Sequence, residues 1–375
     1  MSDEAKPRKM RRRVVALFVL VVLLVILAID LVVGALTISV SQSNFRCRHP
    51  YFHHGFLANV ETETVWADRR YQMATNSLGL RDQSRRTVAG QADRHRLLVI
   101  GDSFTEGLGV SFEDSFCGCL SKALGDDVEL LNAAAVSYSP KLYYLKSKHL
   151  IEQRQLEFDE LLVMIDISDI QDETFYESFE GRQQFSLQSR ADGVLFRRSF
   201  LYHTAARWLD PRRRISNRFE VENTADFDVW INSAELPQKL DKVERFSWTI
   251  HRATFEDWGR RGLDLAVENM DQLIDLCGKH QIDVRIGVYP SPYQIFASDR
   301  DSIQVKHWQK FCVQRNIPFV NLFPAFINDS FRGPRQVYDR YFIPQDVHWN
   351  EAGHQLVADE LAKFLNAEEA NSQEP

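Results

Sequence analysis

The chain has 375 residues, of which 44% are hydrophobic and 26% charged, and its formal net charge is −7. That length supports one large domain or two modest ones, and the acidic balance argues against a general nucleic-acid binder. Five cysteines (Cys47, Cys117, Cys119, Cys277 and Cys312) are few and odd in number, so they suggest neither a disulfide scaffold nor a metal-ligand spacing.

Residues 1–13 carry Lys6, Arg8, Lys9, Arg11, Arg12 and Arg13, a basic tail expected on the cytoplasmic side of a membrane. Residues 14–40, "VVALFVLVVLLVILAIDLVVGALTISV", are apolar apart from Asp30 and a few small polar residues near the end. About 20 apolar residues cross the hydrocarbon core of a bilayer. A cleaved signal peptide has the same charge order but a shorter apolar core and a small-residue cleavage site. The reading is therefore an uncleaved single-pass anchor, with the N-terminus cytoplasmic and residues 41–375 periplasmic or extracellular. Asp30 is expected near the outer interface, where its cost is moderate.

Residues 41–95 read as a loop-rich approach segment, with turn-forming Asn, Ser and Gly over 76–82. The main domain is expected over 96–366. "RLLVI" (96–100) is strand-like, and "SFEDSFCGCLSKALG" places Phe112, Phe116, Cys119, Leu120 and Ala123 at helical spacing. Ser111 with Asp114 resembles a capping box, and Gly125 is a helix stop. "VELL" (128–131) is the next strand, Pro140 after Ser139 opens a helix, and "LLVMIDI" (161–167) is a third strand. The rhythm fails over an insertion at about 172–260, rich in aromatics and arginines. It resumes with a helix ending near "DLCGKH", a strand "VRIGVY" (284–289) and a helix around Trp308 and Phe311. A strand "PFVNL" (318–322) and a closing helix from about Asn350 to Leu365 follow, and 367–375 reads as a polar tail. Strands alternating with helices predict an α/β domain, a flavodoxin-like parallel sheet with helices on both faces, preceded by one transmembrane helix.

Two stretches carry chemistry. In "LLVIGDSFTEG" (97–107), Ser103 follows a greasy strand, and in such a sheet ligands bind beyond the carboxyl ends of the strands. A Gly-Asp-Ser turn with an inert serine is the plainer alternative. In "PQDVHWNEAGH" (344–354), Asp346 and His348 are two apart, so in extended chain they point the same way. A serine hydroxyl is a poor nucleophile until a base takes its proton, and a carboxylate on the far ring nitrogen fixes the tautomer of that base. Asp346 and His348 alone also suit a helix-capping loop or half of a metal site, but no third ligand at sensible spacing accompanies them. No metal or cofactor is expected.

"GDSFTEG" together with "DVHWNEAGH" resembles the first and last blocks of the SGNH (GDSL-type) hydrolase family, with Ser early and Asp-x-His late in the chain. The resemblance covers roughly residues 75–170 and 265–365. The Gly-x-Ser-x-Gly elbow of α/β-hydrolases is not matched. The family implies an oxyanion hole made by the nucleophile's own N–H, a glycine N–H in a second block and an asparagine side chain in a third. Here "LNAAAVSYS" (131–139) has Ser137 where the glycine is expected, and "IDISDIQDE" (165–173) has Ser168 in place of the asparagine. The implied hole is thus Ser103, Ser137 and Ser168. A backbone N–H survives the first change, whereas losing one side-chain donor removes about 3 kcal/mol of transition-state stabilisation.

The expected activity is that of a serine esterase or O-acyltransferase using Ser103, His348 and Asp346. Its expected substrate is an ester, O-acyl groups on envelope glycans being favoured by the location. The alternative is a catalytically weak binding or scaffold protein of a polysaccharide-assembly complex, which would have such assembly partners. Asn350 reads as the cap of the last helix and Trp349 as a wall. Arg212, Arg213 and Arg214 read as a solvated face. Phe175, Tyr176, Phe179, Trp208 and Trp230 read as the core of a lid or as a sugar-stacking platform. His53 and His54 have no assigned partner.

Overall fold

A computed structural model describes residues 5–37, 45–67, 69–91, 93–182, 187–209, 244–327 and 333–372. It divides into two compact units, Met1–Asn44 with Gln184–Phe219, and Phe45–Gln183 with Glu220–Pro375.

In the first unit a helix runs over Ala5–Thr37, and its Arg11–Thr37 stretch is long and apolar enough to cross a bilayer. Two further helices, Leu187–Arg198 and Phe200–Leu209, pack against it.

The second unit contains β1 (Arg46–His49), β2 (His53–Phe56), β3 (Glu61–Trp66), β4 (Arg69–Thr75), β5 (Arg81–Asp82), β6 (His95–Ile100), β7 (Val128–Asn132), β8 (Glu160–Ile165), β9 (Asp283–Val288) and β10 (Phe319–Asn321). Its main sheet has the order β10-β9-β8-β6-β7-β5-β4-β3. From β6 to β10 every pairing is parallel. Counted along the chain these strands run 2-1-3-4-5, the flavodoxin-like order. Residues 97–100 and 161–165 are buried without alternation, as parallel strands covered on both faces must be. Right-handed crossovers explain how the cover forms. The chain steps one way from β6 to β7, through the helix Phe116–Leu124, and the other way from β7 through β8 to β9, through Pro140–Lys148 and Arg260–Lys279. Opposite steps of one hand place helices on opposite faces. Accordingly, Phe116–Leu124 packs with the last helix Glu351–Ser372, and Pro140–Lys148 packs with Arg260–Lys279.

Four expectations are corrected. The 41–95 segment is strand-built: β1 and β2 form a hairpin, and β3 to β5 extend the sheet antiparallel beyond β7, with Arg81 opposite Asn132. These strands are short and carry many polar residues, so their alternation is weak in sequence. The cap of Phe116–Leu124 is Ser115, whose Oγ accepts the Gly118 N–H at 3.3 Å, while Ser111 precedes a separate 3₁₀ turn without a side-chain cap. The last helix continues to Ser372, through most of the expected polar tail. Finally, the insertion is not one body. Tyr176 and Trp248 are buried in the second unit, and Arg245 pairs with Asp172 at 2.9 Å, whereas 187–209 belongs to the unit of the apolar helix. The aromatics grouped as one lid or platform are therefore divided between the units, with Trp208 in the first. Arg212, Arg213, Arg214 and Trp230 lie outside the described residues. The Gly125 stop has φ 75°, and the Asn350 side chain accepts the Gly353 N–H at 3.0 Å.

Candidate active site

The reversal of strand order falls at β6, whose neighbours are β7 and β8. The loops leaving these strands carry Ser103, Ser137 and Ser168, which is why three sequence blocks reach one edge of the sheet. Ser103 opens the one-turn helix Ser103–Glu106, capped by Asp102, whose Oδ1 accepts the Phe104 N–H at 3.0 Å. Gly101 makes the turn possible, because a Cβ there would lie 2.2 Å from Thr105 Oγ1.

Three predicted side chains form one hydrogen-bonded chain. His348 Nε2 lies 2.9 Å from Ser103 Oγ, and His348 Nδ1 lies 2.5 Å from Asp346 Oδ1. Oδ1 of Asp346 also accepts the His348 N–H at 2.8 Å, and Oδ2 accepts Trp66 Nε1–H at 2.9 Å. The Trp66 ring meets the imidazole edge-on at 5.3 Å between centroids. Trp66 comes from β3, 280 residues away in sequence, and no local pattern signals that contact. Burial disfavours the imidazolium of His348, but the Asp346 carboxylate beside it, aided by Asp102 and Asp166, outweighs burial and holds its pKa above the ordinary value. For Asp346 burial works upward, yet His348 and its hydrogen bonds hold the carboxyl below its usual range. A hydroxyl facing an imidazole so braced can pass its proton there while attacking an electrophile.

Ser137 stands in left-handed backbone, φ 56°, a conformation that suits glycine. The peptide bond between Val136 and Ser137 is anchored at its carbonyl: Val136 O lies 2.7 Å from His54 Nε2. In a trans peptide the N–H points opposite the C=O, so this bond aims the Ser137 N–H away from His54. Among the described residues neither the Ser137 nor the Ser103 N–H has a protein acceptor. The Val136 N–H donates to Glu106 Oε2 at 2.8 Å, and Arg46 holds Glu106 through Nη1 at 2.9 Å and through Nη2. His53, 2.8 Å from His54 through the two Nδ1 atoms, completes the brace. Burial, with the His53 charge adding, pushes His54 down to about 3, so it is neutral and donates from Nε2 to the carbonyl. His53 and His54 thereby gain the partners that the sequence did not supply.

Ser168 sits differently. Its hydroxyl donates to Asp166 Oδ2 at 2.5 Å, and its N–H donates to the same oxygen at 3.0 Å. The side chain read as an oxyanion donor is therefore engaged by a carboxylate. Asp166 belongs to a buried cluster with Asp102 and Asp169, whose ligand oxygens lie within 4.8 Å of one another. These are the side chains close enough to hold a cation among the described residues. Like charges so near cannot all ionise: burial, with Asp166 adding, pushes Asp102 up to about 7, and Asp169 is pushed well above the carboxylate range. Tyr289 donates to Asp102 at 2.9 Å and Tyr143 to Asp169 at 2.6 Å. Asp102 Oδ2 lies 3.2 Å from Ser103 Oγ, so the cluster abuts the reactive hydroxyl. Trp349 is a wall, meeting the Phe104 ring edge-on at 4.8 Å between centroids.

The strand order, with Ser103 just beyond the switch strand, defines a flavodoxin-like α/β protein. No protein-family model and no curated protein matches the sequence. Solved structures similar to it include a catalytic mutant of an acetylxylan esterase from Geobacillus stearothermophilus, 10% identical, with a TM-score of 0.39 over 74% of this chain and 96% of that one. A lipase/acylhydrolase from Enterococcus faecalis is 14% identical, with a TM-score of 0.36 over 73% and 96% of the two chains. A member of the lipolytic G-D-S-L family from Veillonella parvula is 13% identical, with a TM-score of 0.35 over 72% and 98%.

Proposed function

We propose that the protein is a membrane-anchored serine acyl-transfer enzyme acting on esters. The observation that carries this reading is the unbroken chain from Ser103 Oγ through His348 to Asp346, beside two N–H groups that have no protein acceptor among the described residues. Ser103 Oγ forms a bond to the acyl carbon as its proton passes to His348 Nε2. The oxyanion is held by the N–H groups of Ser103 and Ser137. As it collapses the ester C–O bond breaks, and His348 returns its proton to the departing alcohol oxygen. Water or a second hydroxyl then attacks the acyl-enzyme by the same steps, giving hydrolysis or O-acyl transfer. Ser168 acts through Asp166 rather than on the oxyanion.

The basic residues Arg11, Arg12 and Arg13 before the apolar helix support a cytoplasmic N-terminus and a catalytic unit outside it. That location favours O-acyl groups of envelope glycans as substrate. A scaffold role in polysaccharide assembly is the second reading, favoured by the engagement of the Ser168 hydroxyl with Asp166. Release of p-nitrophenol from p-nitrophenyl acetate by the full-length protein in detergent separates the two. Turnover lost in Ser103→Ala supports the enzyme, and equal turnover by both proteins refutes it.

A further inference from the structure

The helices Leu187–Arg198 and Phe200–Leu209 belong to the unit of the apolar helix. We propose that they form a membrane-interface platform docked on the anchor helix, with an exposed apolar stripe seated in the outer leaflet. The proposal rests on reading the apolar helix as a bilayer span.

The apolar run contains one charged residue, Asp30. Its side chain is buried, and Oδ1 accepts the Leu201 N–H at 2.8 Å. Leu201 lies in the first turn of Phe200–Leu209, where N–H groups lack intrahelical acceptors. A carboxylate costly in lipid and an orphan N–H costly in lipid thus satisfy each other across two helices. Gly34, one turn further along, meets the same junction: a Cβ there would lie 2.1 Å from Arg198 O. The charge and the glycine of the run both serve contact with residues 198–201.

The junction has a depth. At about 1.5 Å per residue, Asp30 lies about 24 Å beyond Val14, inside the far edge of a hydrocarbon core about 30 Å thick. The docked pair therefore starts at the level of the outer leaflet. Its outward side suits that level. Leu201, Ala205 and Trp208 are exposed at positions i, i+4 and i+7, with Leu209 beside them, and Trp208 and Leu209 are each 72% exposed. Val194 and Leu195 are exposed on the preceding helix. Polar contacts lie between the helices instead: Tyr202 donates to Asp192, and His203 Nδ1 lies 2.9 Å from Phe196 O. Apolar residues on one side with a tryptophan among them are the pattern of helices lying in the membrane interface.

The test uses the full chain in phosphatidylcholine/phosphatidylglycerol vesicles with brominated acyl chains. Wild type should float with the vesicles and show a lipid-quenched tryptophan component that Trp208→Phe lacks. Asp30→Leu, which makes the span more apolar, should still float but lose that component, while Asp30→Asn, which retains a carbonyl acceptor, should keep most of it. Protein that floats with equal quenching in wild type and Trp208→Phe would overturn the platform and leave the anchor standing, the face then being covered by protein. Failure to float would overturn the anchor and the platform with it.

Discussion

Among single residues, His348 is the one that would set the pH dependence on the proposed mechanism. Its pKa is held above the ordinary 6.5 by Asp346, and only the neutral imidazole accepts the serine proton. Activity should therefore be low at acid pH and rise as pH passes upward through that raised value. Asp102, pushed up to about 7, titrates nearby, so the acid limb belongs to the cluster as a whole. Asp346→Asn should lower kcat by about 10⁴-fold, as a neutral amide neither holds the tautomer nor stabilises the imidazolium. The same change should move the remaining acid limb of kcat/KM to lower pH, because the charge that raised His348 is gone. A limb that stays in place would show that Asp346 does not tune the base. Trp66 positions Asp346 from outside: Trp66→Phe removes one hydrogen bond to the carboxylate and should reduce kcat by about tenfold, at about 1–1.5 kcal/mol per bond, with KM unchanged.

At the scale of elements, the loop after β7 depends on its brace. His54 reaches the Ser137 N–H through the peptide between Val136 and Ser137, so it is a positioning residue. His54→Ala frees that carbonyl and should lower kcat about tenfold to a hundredfold with little change in KM, while His54→Gln, which keeps a donor, should recover part of the loss. Equal rates in all three proteins would show that the brace does not orient the N–H. Ser137→Gly retains the N–H and relieves left-handed backbone, so activity should stay within a few-fold and the melting temperature should not fall. Gly101→Ala forces a methyl against Thr105 and should destabilise the domain by about 1–3 kcal/mol in urea unfolding.

What the sequence made legible follows the same division. Ser103, Asp346 and His348 were readable because two local motifs carry them, and the parallel strands because continuous apolar runs alternate with helical spacing. Trp66 and His54 were not, since their effect comes from hydrogen bonds to residues 280 and 82 positions away. Ser168 was placed in the implied oxyanion hole because a sequence does not show that the carboxylate two residues before it, Asp166, faces its hydroxyl.

At the scale of the whole molecule, one helix carries a basic flank and the α/β unit follows it. Protease added outside intact cells should digest residues 41–375, and protection of that region where an external control is cut would overturn the orientation. On the proposed mechanism the Ser103 oxygen becomes a nucleophile because His348 takes its proton. Fluorophosphonate labelling of the full-length protein, read by peptide mass spectrometry, tests it most directly. Label should fall on the Ser103 peptide of the wild type and be nearly absent from His348→Ala as well as from Ser103→Ala. Full labelling of Ser103 in His348→Ala, or labelling of Ser137 or Ser168 instead, would contradict it.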